Sequence, residues 1–505
     1  MTGNGQRDID SEFLALPLQS LADAALQAAR DGGATYAAFR MERILGTSLR
    51  LRDAEVEGVN DTEDVGYSVR VVLNGTWGFA ADIERTPEAA ARTAKRALDL
   101  AKVSAPVNTE PVDLTPEPAH QGTWCSSYDI DPWSVPHEEK LALLQAWSRD
   151  LLNAPGINHV DTSLLAVKEN KFYADLAGTV TTQQRVRLHP EFNAVAIDPG
   201  SGAFETMGTV APPVGQGWEF LTTPGYDWAG ELAQLPGWLI EKLKAPSVEP
   251  GRYDLVIDPS NLWLTIHESI GHATELDRAL GYEANYAGMS FATPDKLGSL
   301  QYGSPIMHIT GDRTVEHGLS TVAWDDEGVE GQSFDIVKDG TLVGYQLDRR
   351  IASRVGYERS NGCAFADSPG HVPIQRMANV SLQPVTDGPS TEQMIADVDD
   401  GIFIVGDKSW SIDMQRYNFQ FTGQRFFRIR DGKLAGQLKD VAYQATTTDF
   451  WGSMAVVRGP DTYVLGGAFN CGKAQPGQVA PVSHGAPSAT FTSVNVLNTA
   501  AEGAR

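Results

Sequence analysis

The sequence predicts an α+β protein in two parts. Residues 1–245 read as an N-terminal α/β domain of antiparallel strands and helices, and residues 246–505 as a β-rich C-terminal domain carrying a helix with paired histidines. Three observations lead there. The first hundred residues read as helix, strands and helix, with the hairpin signal Asn74-Gly75 between two alternating runs. Ala245–Gly251, with two prolines, interrupts the chain near its middle. From Ser304 onward the chain is mostly short strand-like runs punctuated by Gly, Pro and Asp-Gly pairs such as Asp339-Gly340 and Asp431-Gly432. A length of 505 residues suits two to four domains of roughly 150 residues each.

The elements follow in order. Leu18–Arg30 places Leu21, Ala25 and Leu26 on one helical face, and Asp31-Gly32-Gly33 stops it. Tyr36–Leu45, Ser48–Arg52 and Val65–Leu73 read as strands. Asn74 and Gly75 both tolerate positive φ, so Val69–Leu73 and Trp77–Ala81 form a hairpin. Thr86-Pro87 caps an Ala-rich helix through about Lys102. Ser104–Pro136, rich in proline and polar residues, reads as a linker or surface excursion. Glu138–Leu152 is a further helix, and Asn158–Ile197 carries strands around Leu176-Ala177-Gly178. Trp228–Leu243 is helical, with Pro236 expected to break or kink it. Tyr253–Ile257 is a short buried strand, and Pro259-Ser260 opens a helix over about Asn261–Arg278.

Composition excludes several classes. Lys plus Arg total 40 against 65 Asp plus Glu, a net charge of −25. That opposes general nucleic-acid binding and adsorption to an anionic membrane. The three cysteines, Cys125, Cys363 and Cys471, are too few and too scattered for a disulfide framework and favour a reducing compartment. The N-terminal stretch reads without a secretory signal, and no run of about 18 apolar residues would span a membrane. The expectation is a cytoplasmic protein.

The sharpest local feature is His267-Glu268-Ser269-Ile270-Gly271-His272. Two neutral imidazoles beside a carboxylate suit a zinc ion with an activated water. The usual pair sits four residues apart, about 40° around a helix, whereas five residues give about 140°. A π-bulge near Gly271 would bring the two rings back together. The competing reading is a chance pair on a partly buried helix. A catalytic site needs a third ligand, and Cys471, in a Gly-rich turn with Lys473 nearby to help hold a thiolate, is the candidate. A lone cysteine also reads as a small buried hydrophobe, which is the reading kept for Cys125 and Cys363. His484 is a candidate further ligand or hydrogen-bond partner of a ligand, against a satisfied structural histidine. The structural reading also serves His308, His317 and His371. Glu275 would either orient a histidine or sit on a solvated helix face.

The stretch His267–Asp277, the segment Asp325–Gln332, the Asp339-Gly340…Gly344-Tyr345 run, Arg376-Met377-Ala378-Asn379 and Cys471-Gly472-Lys473 occur in one order. So does the N-terminal hairpin Leu51-Arg52-Asp53…Gly66–Val71…Asn74–Phe79. Together they resemble the TldD branch of the TldD/PmbA metallopeptidase family, from about residue 35 to about residue 490. The resemblance implies a zinc ion held by His267, His272 and Cys471, with Glu268 as the catalytic glutamate. It implies hydrolysis of unfolded or leaderless peptides, and a TldE/PmbA-like sister subunit as partner, with a homodimer as the fallback. The segment Gly406–Phe421 and the run after Lys473 depart from the family pattern. The alternative function is a non-catalytic, zinc-stabilised scaffold or a regulator of a partner protein, for which a fourth ligand would close the metal site.

Overall fold

A computed structural model describes residues 8–503; the first seven residues of the N-terminal stretch lie outside it. The helix Leu18–Asp31 buries Leu21, Ala22, Ala25 and Ala29 and ends at Gly33, whose φ of +84° only glycine adopts freely. The two strands expected over 36–45 and 48–52 are one, Tyr36–Arg52, because the chain between them stays paired on both edges, with Glu55–Leu73 and with His159–Asp175. Asn74 and Gly75 turn at φ +51° and +71°, joining Glu55–Leu73 to Thr76–Asp82.

These strands, with Val180–Ile197, Gln121–Cys125 and Phe204–Gly208, form a seven-stranded sheet. It is antiparallel except where Gln121–Cys125 runs alongside Val180–Gln184. One hydrophobic cluster gathers the helices Leu18–Asp31 and Pro87–Ser104 against the sheet. A second does the same for His137–Leu152 and Trp228–Lys244. Pro236 does not break the last helix. Leu232, Leu235 and Leu239 are buried on both sides of it, and that packing outweighs one missing backbone donor.

In the second half a sheet runs in the order Asp400–Ile412, Gly251–Ile257, Ala489–Asn498, Val441–Thr446, Asn418–Arg430, Lys433–Leu438. Asp400–Ile412 also pairs with Asn418–Arg430, closing five strands into a ring around Leu255, Ile404, Phe421, Tyr443 and Phe491. The helix Pro259–Ile266 sits on this ring. The Asn261 side chain donates to the carbonyls of Gly406 and Thr422 and accepts from the Tyr443 hydroxyl. A four-stranded sheet that includes Asn379–Leu382 and a ribbon of Val464–Lys473 with Gln478–Ala486 pack beside that helix. Among the described residues no helix is long and apolar enough to cross a membrane.

Candidate metal centre

Asp258 caps the helix and Pro259 fills its first turn. The helix does not run on to Arg278 as expected. A π turn follows over His267–Gly271, then a 3-10 turn over His272–Thr274. The backbone extends at Glu275 before a short turn over Leu276–Ala279. The extra residue of the π turn brings the two imidazoles edge to face, with centroids 4.7 Å apart and planes at 72°. Gly271 is needed there, because a Cβ would lie 2.7 Å from Met377 Sδ and 3.3 Å from His484 Cε1.

Cys471 arrives from the ribbon strand Val464–Lys473. A bulge between Ala468 and Cys471 changes the strand's phase. One donor atom each from His267, His272 and Cys471 lie within 4.8 Å of one another, and Cys471 Sγ is 3.5 Å from His272 Nε2. A tetrahedral zinc with Zn–S of about 2.3 Å and Zn–N of about 2.1 Å sets an S···N separation of about 3.6 Å.

The hydrogen bonds fix which nitrogens are free. His484 Nδ1 donates to the Val380 carbonyl at 2.9 Å, so its Nε2 accepts from His267 Nδ1 at 2.7 Å. His272 Nδ1 donates to Glu275 Oε2 at 2.9 Å. Both outward nitrogens, His267 Nε2 and His272 Nε2, therefore keep their lone pairs. Burial holds His267 neutral down to about pH 4, against the pull of Glu268, and keeps His272 well below the ordinary histidine range despite Glu275. Burial raises the Cys471 thiol to about 11, with Arg376 opposing. This neutral N,N,S set fits a borderline-soft divalent ion.

His484 is thus the hydrogen-bond partner of His267, and Glu275 is fully buried rather than on a solvated face. The expectation for Lys473 is corrected. Its ammonium bonds Glu275 Oε1 at 3.1 Å, Asp277 Oδ1 at 2.8 Å and the Gln375 carbonyl at 2.8 Å, because the nearby carboxylates offer more than a protonated sulfur does. Three arginines that sequence reasoning missed also border the site. Arg416 Nη1 donates to Glu268 Oε2 at 2.6 Å, Arg278 Nε to Glu275 Oε2 at 3.2 Å, and Arg376 Nη2 to the Cys471 carbonyl at 2.6 Å. Arg376 and Arg416 come from loop and turn positions that carry no periodic signal, and Arg278 from the short helical turn after the histidines. Other histidines lie in separate pairs, His308 with Asp335 and His371 with Asp367, and His317 faces the Gly215 carbonyl. Cys363 is fully buried.

An α+β fold with a buried His/His/Cys donor set and a glutamate next to the first histidine defines a class of candidate metal-dependent hydrolases. Comparison with known proteins gives the class a family. Residues 250–498 match the model of the PmbA/TldA metallopeptidase C-terminal domain, and residues 37–101 that of PmbA/TldA metallopeptidase domain 1. A metalloprotease of Methanothermobacter thermautotrophicus is 28% identical over 481 residues, 95% of this chain and 97% of the relative. A zinc metalloprotease TldD homolog of Saccharolobus solfataricus is 24% identical, covering 92% and 96%. The solved structure of TldE from Thermococcus kodakarensis shares the fold, with a TM-score of 0.71 at 14% identity over 94% of this chain and 99% of that one. The chain belongs to the TldD/PmbA metallopeptidase family.

Proposed function

We propose that the protein is a zinc-dependent peptidase in which His267, His272 and Cys471 hold the metal and Glu268 moves the proton. The observation that carries this reading is the convergence of two imidazoles, each with its far nitrogen already bonded, on a thiol 3.5 Å from one of them. Zinc bound there would polarise the scissile carbonyl and acidify a water. Glu268 takes a proton from the attacking water as the new C–O bond forms. It delivers that proton to the leaving nitrogen as the C–N bond breaks. Arg416 keeps the Glu268 carboxylate paired and fixed in direction.

The substrates under this reading are unfolded or leaderless peptides. Val464–Lys473 pairs only with Gln478–Ala486 among the described residues, so its other edge can take an extended peptide by backbone hydrogen bonds. The family and the fold shared with a TldE chain support a TldE/PmbA-like partner subunit, with a homodimer as the fallback. A reducing cytoplasm would keep the Cys471 thiol available, and residues 245 and 246 divide the chain into its two domains. The closed-scaffold alternative needs a fourth protein ligand. His484, its best candidate, has both nitrogens engaged.

Glu268→Ala tests the reading. Zinc content should stay at the wild-type level while cleavage of an unstructured peptide falls by about 10²-fold or more. Wild-type cleavage by this variant refutes the mechanism, and a zinc ion with four protein ligands refutes the open site.

A further inference from the structure

His267, Glu268, His272 and Cys471 are each only 5% exposed. An extended peptide cannot reach groups this buried unless something above them moves. The covering parts are identifiable. Arg416 lies at the tip between the strands Asp400–Ile412 and Asn418–Arg430, and it reaches Glu268 across 148 residues of sequence. The tip is shaped to present it. The Asp413 carboxylate accepts from the amides of Gln415, Tyr417 and Asn418. Arg416 itself sits at φ +61°, which a non-glycine residue adopts at a cost. The Thr447 hydroxyl holds its carbonyl at 2.8 Å.

A second segment is laced to the tip. Met289 N donates to the Met414 carbonyl at 2.6 Å, and Phe291 N to the Gln415 carbonyl at 2.9 Å. Gly288, at φ +87°, lies so close that a Cβ would sit 2.1 Å from the Met414 oxygen. The Ala287 carbonyl accepts from Arg416 Nη2 at 3.2 Å and from Arg278 Nη1 at 2.6 Å. Met414 and Met289 face outward, 55% and 44% exposed. Phe291 and Tyr417 anchor the base of the cover in the core, their rings 5.2 Å apart, whereas its outer part, 287–289 and 413–416, rests on a few backbone hydrogen bonds and one ion pair. Such segments open at low free energy relative to a core.

We propose that Arg416 is the latch of this cover: its ion pair with Glu268, which orients that carboxylate only while the cover is closed, holds segments 413–418 and 287–291 shut over the centre, and a peptide enters when the pair opens. This rests on reading Glu268 and Cys471 as site residues, but its test needs neither metal nor peptidase activity, so the two can fail separately. In the metal-free full-length protein, the rate of Cys471 alkylation by N-ethylmaleimide is read cysteine by cysteine by mass spectrometry. Hydrogen exchange at the Met289 and Phe291 amides is read alongside.

Arg416→Ala should label Cys471 at least about tenfold faster and speed exchange at both amides, with fully buried Cys363 as slow as in wild type. Arg416→Lys, which keeps the charge, should restore much of the protection. Unchanged labelling of Cys471 in Arg416→Ala overturns the proposal. So does a parallel rise at Cys363, which would mean loss of the fold rather than opening, or a failure of lysine to protect better than alanine.

Discussion

Replacing Glu275 by Gln probes the centre without touching a proposed ligand. The carboxylate is fully buried, and each oxygen faces a donor: His272 Nδ1 at 2.9 Å and Arg278 Nε at 3.2 Å on Oε2, Lys473 Nζ at 3.1 Å on Oε1. An amide of the same shape must turn its NH₂ towards one of these donors. If it faces His272, the histidine must shift its proton to Nε2 and lose the lone pair offered to the metal. If it faces Lys473, a buried ammonium loses one of its two carboxylate partners. Loss of an orienting partner of this kind lowers metal affinity about 10- to 100-fold, roughly 1.4–2.7 kcal/mol. An unbalanced buried charge costs about 3–5 kcal/mol of fold stability. Zinc affinity is measured by competition with a chromophoric chelator, and stability by urea unfolding of the same samples. The expected result is weaker zinc binding in a still folded, less stable protein. Wild-type zinc affinity in Glu275→Gln would refute the argument that the charge of Glu275, lost whichever way the amide turns, strengthens a metal-binding His272.

Three further outcomes are expected. With the Cys471 thiol raised to about 11 and His267 lowered to about 4, zinc uptake at pH 7 should release one proton, and log K should rise by about one per pH unit between roughly pH 5 and 10; calorimetry in buffers of different ionisation enthalpy measures it, and no proton release would contradict it. Lys473→Met strands the carboxylates of Glu275 and Asp277 together and should cost about 3–5 kcal/mol in chemical denaturation; a loss under about 1 kcal/mol would show that the pair is not held by this ammonium. Asp348 is pushed up to about 7 by burial and by Glu327, so the folded state holds its proton more tightly than the unfolded chain does. Its stabilising contribution is complete below about pH 4 and is lost as pH rises through 7, so Asp348→Asn should gain stability relative to wild type between pH 5 and 8, read as the difference in Tm; a constant difference would contradict it.

Local chemistry made much of the first half legible. Asn74-Gly75, the Thr86 cap and the Gly32-Gly33 stop each act within a few residues and formed where expected. The errors have longer-range causes. Strand pairing on both sides carries the chain through Gly46, and packing carries a helix through Pro236. At the site, the five-residue histidine spacing already required an extra backbone residue, and the π turn supplies it. The residues alone left Cys471 and Glu275 open, since only three-dimensional proximity distinguishes an orienting carboxylate from a solvated one. Arg416 was out of reach, because its meeting with Glu268 depends on how a distant hairpin folds over the helix.

Cys471 and Lys473 are alternate residues of one strand and so project to the same side. Cys471 brings the thiol to His272, and Lys473 brings the cation that holds Glu275, which in turn holds His272. The neighbouring strand of the ribbon adds His484, paired in register with Gly466, and His484 fixes His267. The ribbon therefore supplies the thiol, the anchor of His267 and the cation that holds the anchor of His272, while the interrupted helix and the turn after it supply the histidines, Glu268 and Glu275. Gly466 sets how closely the two meet, since a Cβ there would lie 2.6 Å from the Trp263 ring, and that ring stacks on His484. A one-residue slip of Val464–Lys473 against its partner would turn Cys471 and Lys473 away together. The donor geometry is accordingly a property of one packed interface, which makes the bulge between Ala468 and Cys471, where the strand's phase is set, as decisive for the centre as any of its donors.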